Sequence, residues 1–226
     1  MERRRTQPGE TPAKLSQIAY QRFKEALFAG RIALGATVSQ GELAELLEVQ
    51  TGTLREAMQR LEQEGFLVVL PRSGIQIVKP DLAHLKDCFQ MRRVIEAEAL
   101  RRFAERVTMG EIVEWRQRHD EIIDLARDGV VESVLFARAA ELDRAFHGAL
   151  VEGTRNPLMI TSHAQMMEQI CVVRLDTLYM LSSLAIVHTM QEHLAVLSAL
   201  EAQDPEAAVT AMEAHLARSM HRAMGL

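Results

Sequence analysis

Residues 51–65 constrain the fold of this chain more than any other segment. Leu54, Met58 and Leu61 recur there at helical spacing, which gives the segment one apolar face and leaves a polar face opposite. A shorter helical pattern covers residues 40–47, and only three residues separate the two patterns. Two helices joined by so short a turn are typical of a helix-turn-helix, in which the second helix enters the major groove of DNA.

A predicted hairpin follows this helix pair. Residues 66–70 form an apolar run, residues 71–74 contain the proline and glycine of a tight turn, and residues 75–78 alternate like a returning strand. An additional helix is predicted before the pair, over residues 14–30. The sequence therefore predicts a winged helix-turn-helix domain over residues 14–79.

Several side chains of this domain are candidates for contact with DNA. They lie off the apolar face of the second helix, at the helix starts or at the tip of the hairpin. Short polar side chains suit a groove, and an arginine can donate two hydrogen bonds to one guanine. The predicted DNA-binding residues are Gln40, Gln50, Thr51, Thr53, Arg55, Gln59 and Arg72.

These residues carry a family resemblance. Residues 34–35, 38–44, 54–57 and 60–65 together resemble the DNA-binding domain of the GntR family of bacterial transcription regulators. The resemblance covers about the first 80 residues. It implies that a homodimer of this chain binds a double-stranded, palindromic operator.

The sequence departs from the common GntR pattern at three places. The family often has Pro-Val-Arg where residues 53–55 read Thr-Leu-Arg, a variant that resembles the FadR branch. It often has Ser-Arg or Thr-Arg at residues 50–51 and a charged pair at residues 40–41, where this chain has Gln-Thr and Gln-Gly. These departures leave fewer arginines for contact with the bases than is common in the family. The resemblance therefore does not specify the operator sequence.

The remainder of the chain is predicted to be entirely helical. Apolar residues recur at helical spacing from residue 82 onward, and polar caps, glycines and prolines divide the pattern into segments with short connections. The fold class is therefore mainly α, with an N-terminal winged helix-turn-helix and a C-terminal antiparallel bundle of six or seven helices over residues 80–226. The predicted helices cover residues 82–105, 108–127, 131–152, 156–181, 182–202 and 204–224.

The ends and the composition of the chain point to the cytoplasm. Residues 1–13 are predicted to be a flexible arm, since no apolar stretch follows the basic start as it would in a signal peptide. No apolar run approaches the length of a membrane span. Cys88 and Cys171 are far apart and are expected to be free thiols of a reducing compartment. The net charge is −5, and the acidic excess lies after residue 80.

Four side chains of the predicted bundle have the spacing of metal ligands. Asp143 and His147 are one helical turn apart, so they share a face. His193 and His215 lie eleven residues to either side of Asp204, which begins the last helix. In an antiparallel hairpin, equal arms bring both rings to one height, about 16 Å from the turn. Spacing alone leaves open whether these histidines bind a metal or are ordinary core and surface residues.

A second resemblance bears on this group. Residues 142–147, 156–158, 192–193 and 215–216 resemble the FCD type of GntR effector domain, a helical bundle with a buried metal. The resemblance implies that Asp143, His147, His193 and His215 bind one divalent transition metal per subunit. Zinc is the first choice, and nickel, manganese and iron also accept such ligands. The acyl-CoA branch of the FadR group lacks this ligand set.

Arg92 and Arg174 are the candidate effector-binding residues. Arg92 lies in a segment that resembles a family element whose arginine points into the effector cavity, where it would bind a carboxylate through two hydrogen bonds. It is equally a candidate partner for Glu96, one helical turn away. Arg174 lies in an apolar run and requires a partner if it is buried. The other histidines are assigned to the surface or the core: His84, His119, His163, His188 and His221.

These features predict a DNA-binding transcriptional regulator, a repressor, that senses a small carboxylate at the metal site of its bundle. Two alternatives remain open at this stage. One is a sensor of the metal ion itself, and the other is a metalloenzyme fused to a DNA-binding domain. The sequence contains no recognised catalytic motif and no clear general base, so no enzymatic activity is expected.

Overall fold

The computed structural model of the chain describes residues 12–175 and 182–225, without the side chains of residues 12, 174 and 175. The chain divides into two compact units, Met1–Pro80 and Asp81–Leu226.

Three helices form the body of the first unit: α1 (Pro12–Phe28), α2 (Gln40–Leu46) and α3 (Thr51–Gln63). Helix α1 packs on α3, and the predicted apolar face of α3 is buried through Leu54, Met58 and Leu61. The Tyr20 hydroxyl on α1 donates a hydrogen bond to Glu64 at the end of α3, at 2.6 Å. This packing leaves the opposite face of α3 exposed.

Local hydrogen bonds fix the ends of the two helices of the helix-turn-helix. Ser39 and Glu42 form a reciprocal capping box at the start of α2. Gly65 follows α3 with a φ of 78°, a left-handed conformation that glycine adopts without steric cost. The Phe66 amide then donates to the Leu61 carbonyl at 2.9 Å, which closes the helix in a Schellman motif.

The hairpin is part of a three-stranded antiparallel sheet, in which β3 (Gly74–Ile77) pairs on one side with β2 (Leu67–Leu70) and on the other with β1 (Thr37–Val38). Strand β1 was absent from the sequence prediction, because two residues are too few to show an alternating pattern. Gly74 has a φ of 109°, and a Cβ there would lie 2.7 Å from the Val38 carbonyl oxygen. Glycine at this position thus permits the close approach of β1 to β3.

Every regular element among the described residues of the second unit is a helix. Its helices are α4 (Leu82–Ala104), α5 (Met109–Arg127), α6 (Glu132–Glu152), α7 (Pro157–Leu175), α8 (Ser183–Glu201) and α9 (Pro205–Ala223). The mainly α fold class is confirmed, and helix bounds agree with the sequence prediction to within a few residues. The predicted extension of the α7 segment to residue 181 lies outside the described residues. Among the described helices, none combines the length and apolar character of a membrane-crossing segment.

Side-chain caps set the start of most of these helices, as the sequence predicts. Asp81 and Ser182 accept a backbone hydrogen bond at the starts of α4 and α8, and Asp204 does so at the start of α9. Thr108 and Glu111 form a capping box on α5. Helix α9 packs against both α8 and α4, while α5 packs against α8 and α6. These helices surround a group of buried polar side chains.

Candidate metal centre

The structure brings the four predicted ligand residues together inside the bundle. Asp143 and His147 lie on α6, His193 lies on α8 and His215 lies on α9. One ligand atom from each lies within 4.8 Å of the other three. The three histidine side chains are almost completely buried, and the Asp143 side chain is 15% exposed.

The Nε2 atoms of the three imidazole rings face the middle of this group. The Nε2 atoms of His193 and His215 are 3.3 Å apart. One Asp143 carboxylate oxygen lies 3.7 Å from the Nε2 of His147 and 3.7 Å from that of His193. Four donor atoms therefore surround one small volume.

The Nδ1 atoms of two rings bind carboxylates on the outside of the group. His147 Nδ1 donates to Glu96 at 2.7 Å, and His215 Nδ1 donates to Glu192 at 2.7 Å. An ionised carboxylate can only accept, so the ring proton of each neutral histidine is on Nδ1. The Nε2 atom of each ring is then left with its lone pair facing inward.

The Nδ1 atom of His193 has a different partner, the Nε2 atom of His119 on α5, at 3.0 Å. The other nitrogen of His119, Nδ1, lies 2.7 Å from the backbone carbonyl oxygen of Trp115. A carbonyl accepts only, so His119 donates from Nδ1 and accepts at Nε2. His193 therefore also carries its proton on Nδ1 and directs the Nε2 lone pair inward.

The inward-facing lone pairs of His193 and His215 are not neutralised by protonation of the two rings. Burial, and then the neighbouring His215 and His147 rings, hold the pKa of His193 well below its usual value. Burial also lowers the pKa of His215, to about 4, although its hydrogen bond to Glu192 opposes the shift. Both rings are therefore neutral near pH 7, and neither brings a proton to the contact between their Nε2 atoms.

The residues present fit a divalent metal ion. His147 Nε2 is buried without a hydrogen-bond partner among the described residues, and two further lone pairs face each other. Imidazole nitrogens with one carboxylate are ligands that zinc, nickel, iron and manganese accept. Metal ligands of this kind normally have their outer nitrogen held by a hydrogen bond, as all three rings do here.

Arg92 and Glu96 form a completely buried ion pair on α4, with Arg92 Nε donating to a Glu96 oxygen at 2.7 Å. Glu96 also accepts hydrogen bonds from His147 and, at 2.9 Å, from His163 on α7. Burial alone would raise the pKa of Glu96, but the Arg92 charge and these hydrogen bonds hold it well below its usual value. Glu96 is thus an ionised acceptor for three donors from three helices.

The two interpretations of Arg92 are compatible in this geometry. Its Nε atom pairs with Glu96, while its two terminal nitrogens are buried and make no hydrogen bond to any described residue. Those N–H groups are suitable donors for a bound carboxylate. The second candidate, Arg174, lies in α7, but its side chain is outside the described residues.

Sequence reasoning missed the outer partners of the rings. The spacing relates Glu96 only to Arg92, and it places His119 and His163 at the surface or in the core. Both are buried, and each binds a residue of the site. Glu192 precedes His193 directly and also accepts hydrogen bonds from Arg218 and Arg222. Burial alone would raise the pKa of Glu192, but the hydrogen bond from His215 and those from the two arginines bring it to about 2. No spacing rule connects His119 on α5 with a ligand on α8.

Six of the seven predicted DNA-binding residues lie on α3, at its start or in contact with its first residue. Arg55 and Gln59 are exposed one turn apart on this helix, and Gln40 donates from its side-chain amide to the Thr51 carbonyl at 3.0 Å. Gln50 occupies the cap position of α3 without a side-chain cap, and Thr53 is partly buried. Arg72 is exposed in the turn of the hairpin with a φ of 66°.

Two family models match the chain. Residues 15–77 match that of the bacterial regulatory proteins of the gntR family, and residues 87–218, more than half of the chain, match that of the FCD domain. The chain belongs to the GntR family. Its FCD domain places it in the FadR-like subfamily of these transcription regulators.

Relatives of this GntR regulator are described as transcriptional regulators or repressors. The Nta operon transcriptional regulator of Aminobacter aminovorans is 29% identical over 140 residues, which span 62% of this chain and 64% of that protein. The HTH-type transcriptional repressor RspR of Escherichia coli is 24% identical over 203 residues, 89% of this chain and 86% of that protein. The structure of E. coli McbR/YncC has the same fold, with a TM-score of 0.73 and 18% sequence identity. The match covers 93% of this chain and 97% of that one.

Proposed function

We propose that this GntR regulator is a repressor that senses a small organic acid at a divalent metal in its FCD domain. The metal, with zinc as the first choice and one ion per subunit, is held by Asp143, His147, His193 and His215. The observation that carries the proposal is that one ligand atom from each of these four side chains lies within 4.8 Å of the others, with the Nε2 atoms of two histidines each 3.7 Å from one Asp143 oxygen. No catalytic turnover is expected.

The charges around the site favour an anionic effector. Three of the four metal ligands are neutral rings, so Asp143 alone offsets part of the charge of a divalent ion. An octahedral ion would retain two positions beside four protein ligands. The buried Arg92, which shares Glu96 with His147, has two N–H groups without a partner among the described residues. A carboxylate effector supplies both the negative charge and the acceptors that these groups require.

The response is measured as the affinity for operator DNA with and without each member of a panel of small mono- and dicarboxylic acids, at fixed zinc. At least one acid is expected to change the affinity of the wild-type protein, and Arg92→Met is expected to weaken that response about tenfold or more, since it removes charge-assisted hydrogen bonds. Arg93→Met is the matched control, because Arg93 is exposed beside it on α4. A chelator that switches DNA binding without any acid would favour a metal sensor instead.

Regulation by an effector requires two arrangements of a dimer with different affinities for the ligand. Recognition of a palindromic operator requires two DNA-binding domains whose spacing matches half-sites about one helical turn apart. We therefore expect a homodimer. The repressor assignment is supported by the relative RspR, which is described as a transcriptional repressor.

Replacement of Arg55 with alanine is expected to weaken specific operator binding by about 1–3 kcal/mol, the usual contribution of an arginine that binds a base edge. The loss should concentrate at one base position of the half-site, as measured by titration of single-base operator variants. Arg31→Ala removes the same charge from an exposed position of the same unit and serves as the control. Equal losses on all DNA sequences would identify Arg55 as a phosphate contact.

A further inference from the structure

His119 gives one of the three imidazole rings a different kind of hydrogen-bond partner from those of the other two. His147 and His215 donate to carboxylates, whereas His193 donates to a neutral imidazole. His119 lies on α5, which contributes none of the four ligand residues. It is completely buried and packs edge-on against Phe146, with ring centroids 5.0 Å apart.

The orientation of His119 is set within its own helix. Trp115 precedes it by one turn, so the Trp115 carbonyl is the acceptor for the backbone amide of residue 119 in a regular helix. The same carbonyl oxygen, which has two lone pairs, also lies 2.7 Å from the ring Nδ1 of His119. The His119 proton is thereby placed on Nδ1, and Nε2 is left as an acceptor that points at His193.

This arrangement is a two-step relay of hydrogen bonds. The backbone of α5 determines the tautomer of His119, and His119 determines the tautomer of His193. A free histidine side chain prefers the proton on Nε2, which would block the atom that faces Asp143 and His215. A neutral acceptor also adds no negative charge to a buried region, where an unpaired carboxylate would be costly.

We propose that His119 is a positioning residue that presents His193 Nε2 to the metal while keeping the outer partner of this ligand uncharged. The inference rests on the metal centre proposed above and assigns a role to a residue outside the ligand set. Because a carboxylate partner increases the basicity of a metal-bound imidazole, His193 is the weakest nitrogen donor of the three. A metal ion in this site would therefore keep more positive charge for an anionic effector than it would if all three histidines had carboxylate partners.

Two substitutions separate this role from simple space filling. His119→Phe keeps a ring against Phe146 but cannot accept a hydrogen bond, and it is expected to raise the zinc dissociation constant about 10–100-fold. His119→Gln places an amide oxygen near the position of Nε2, and its affinity is expected to stay within a few-fold of the wild type. Zinc affinity is measured on the full-length chain by competition with a chromophoric chelator, and the cobalt absorption spectrum reports the coordination number of the bound ion.

The tautomer itself provides a readout that requires neither metal nor a folded variant. Long-range ¹⁵N–¹H correlation spectra of the metal-free wild-type protein are expected to show His193 protonated on Nδ1. Protonation on Nε2 would overturn the role of His119, as would a Phe variant with wild-type zinc affinity and cobalt spectrum. A wild-type protein that binds no metal would overturn the proposed function, while the His193 tautomer would still decide the inference about His119.

Discussion

Replacing His193 with alanine is expected to reduce zinc affinity by more than the roughly 10–100-fold that loss of an outer hydrogen-bond partner costs. The change removes one of three nitrogen donors and leaves a cavity between Asp143 and His215. A ligand that binds only the folded state stabilises it by about 2.7 kcal/mol at one hundred times its dissociation constant. The zinc-dependent increase in melting temperature should therefore disappear at zinc concentrations that saturate the wild type.

The unfolding of the second unit can be followed separately, since the single tryptophan of the chain, Trp115, lies on α5 within it. Its fluorescence reports the bundle, and operator binding in the absence of effector reports the first unit. His188→Ala is the matched control, because His188 is exposed on the same helix as His193. Stoichiometric, tight zinc binding by His193→Ala would remove His193 from the ligand set.

Replacing Glu96 with glutamine is expected to destabilise the bundle by about 3–5 kcal/mol, the usual effect of removing one member of a buried ion pair. Arg92 would keep its charge in a fully buried position without a countercharge from Glu96. The amide would also turn a donor toward His147 or His163, each of which donates to Glu96 in the native protein. Urea unfolding of the metal-free protein, followed by Trp115 fluorescence, measures the loss.

The double variant Arg92→Met/Glu96→Gln tests the physical reason for that loss. Removing the charge of Arg92 together with that of Glu96 is expected to restore most of the stability, because a buried pair can be replaced by uncharged groups at little cost. The restored protein should nevertheless fail to respond to the organic acid, because it lacks the guanidinium. If the double variant is no more stable than Glu96→Gln, the uncompensated charge is not the cause.

The helices of this protein could be predicted from the sequence because their signals are local. The caps at Asp81, Thr108 and Asp204 are each followed by an apolar pattern of helical period, and all three begin a helix in the structure. The spacing of the four candidate ligand residues could also be identified, because a helical turn and a hairpin with equal arms are regular geometries. The structure brings these four residues within 4.8 Å of one another.

The surroundings of the ligands could not be predicted in this way. The contact between His119 and His193 depends on how α5 packs against α8, and the hydrogen bonds from His147 and His163 to Glu96 depend on how α6 and α7 pack against α4. Such contacts are set by tertiary packing and have no characteristic spacing. The strand β1 was missed for a related reason, since its two residues are defined by pairing with β3 rather than by their own pattern.

The equal arms of the hairpin formed by α8 and α9 restrict how homologous chains can change in length. Each added residue turns a helix by about 100° and advances it by about 1.5 Å. One insertion between His193 and Asp204 would therefore carry that ring out of reach of His215, and a matching insertion in the other arm would not correct the rotation. Within this hairpin, changes in length are therefore expected only beyond the two rings or in the short connection between α8 and α9.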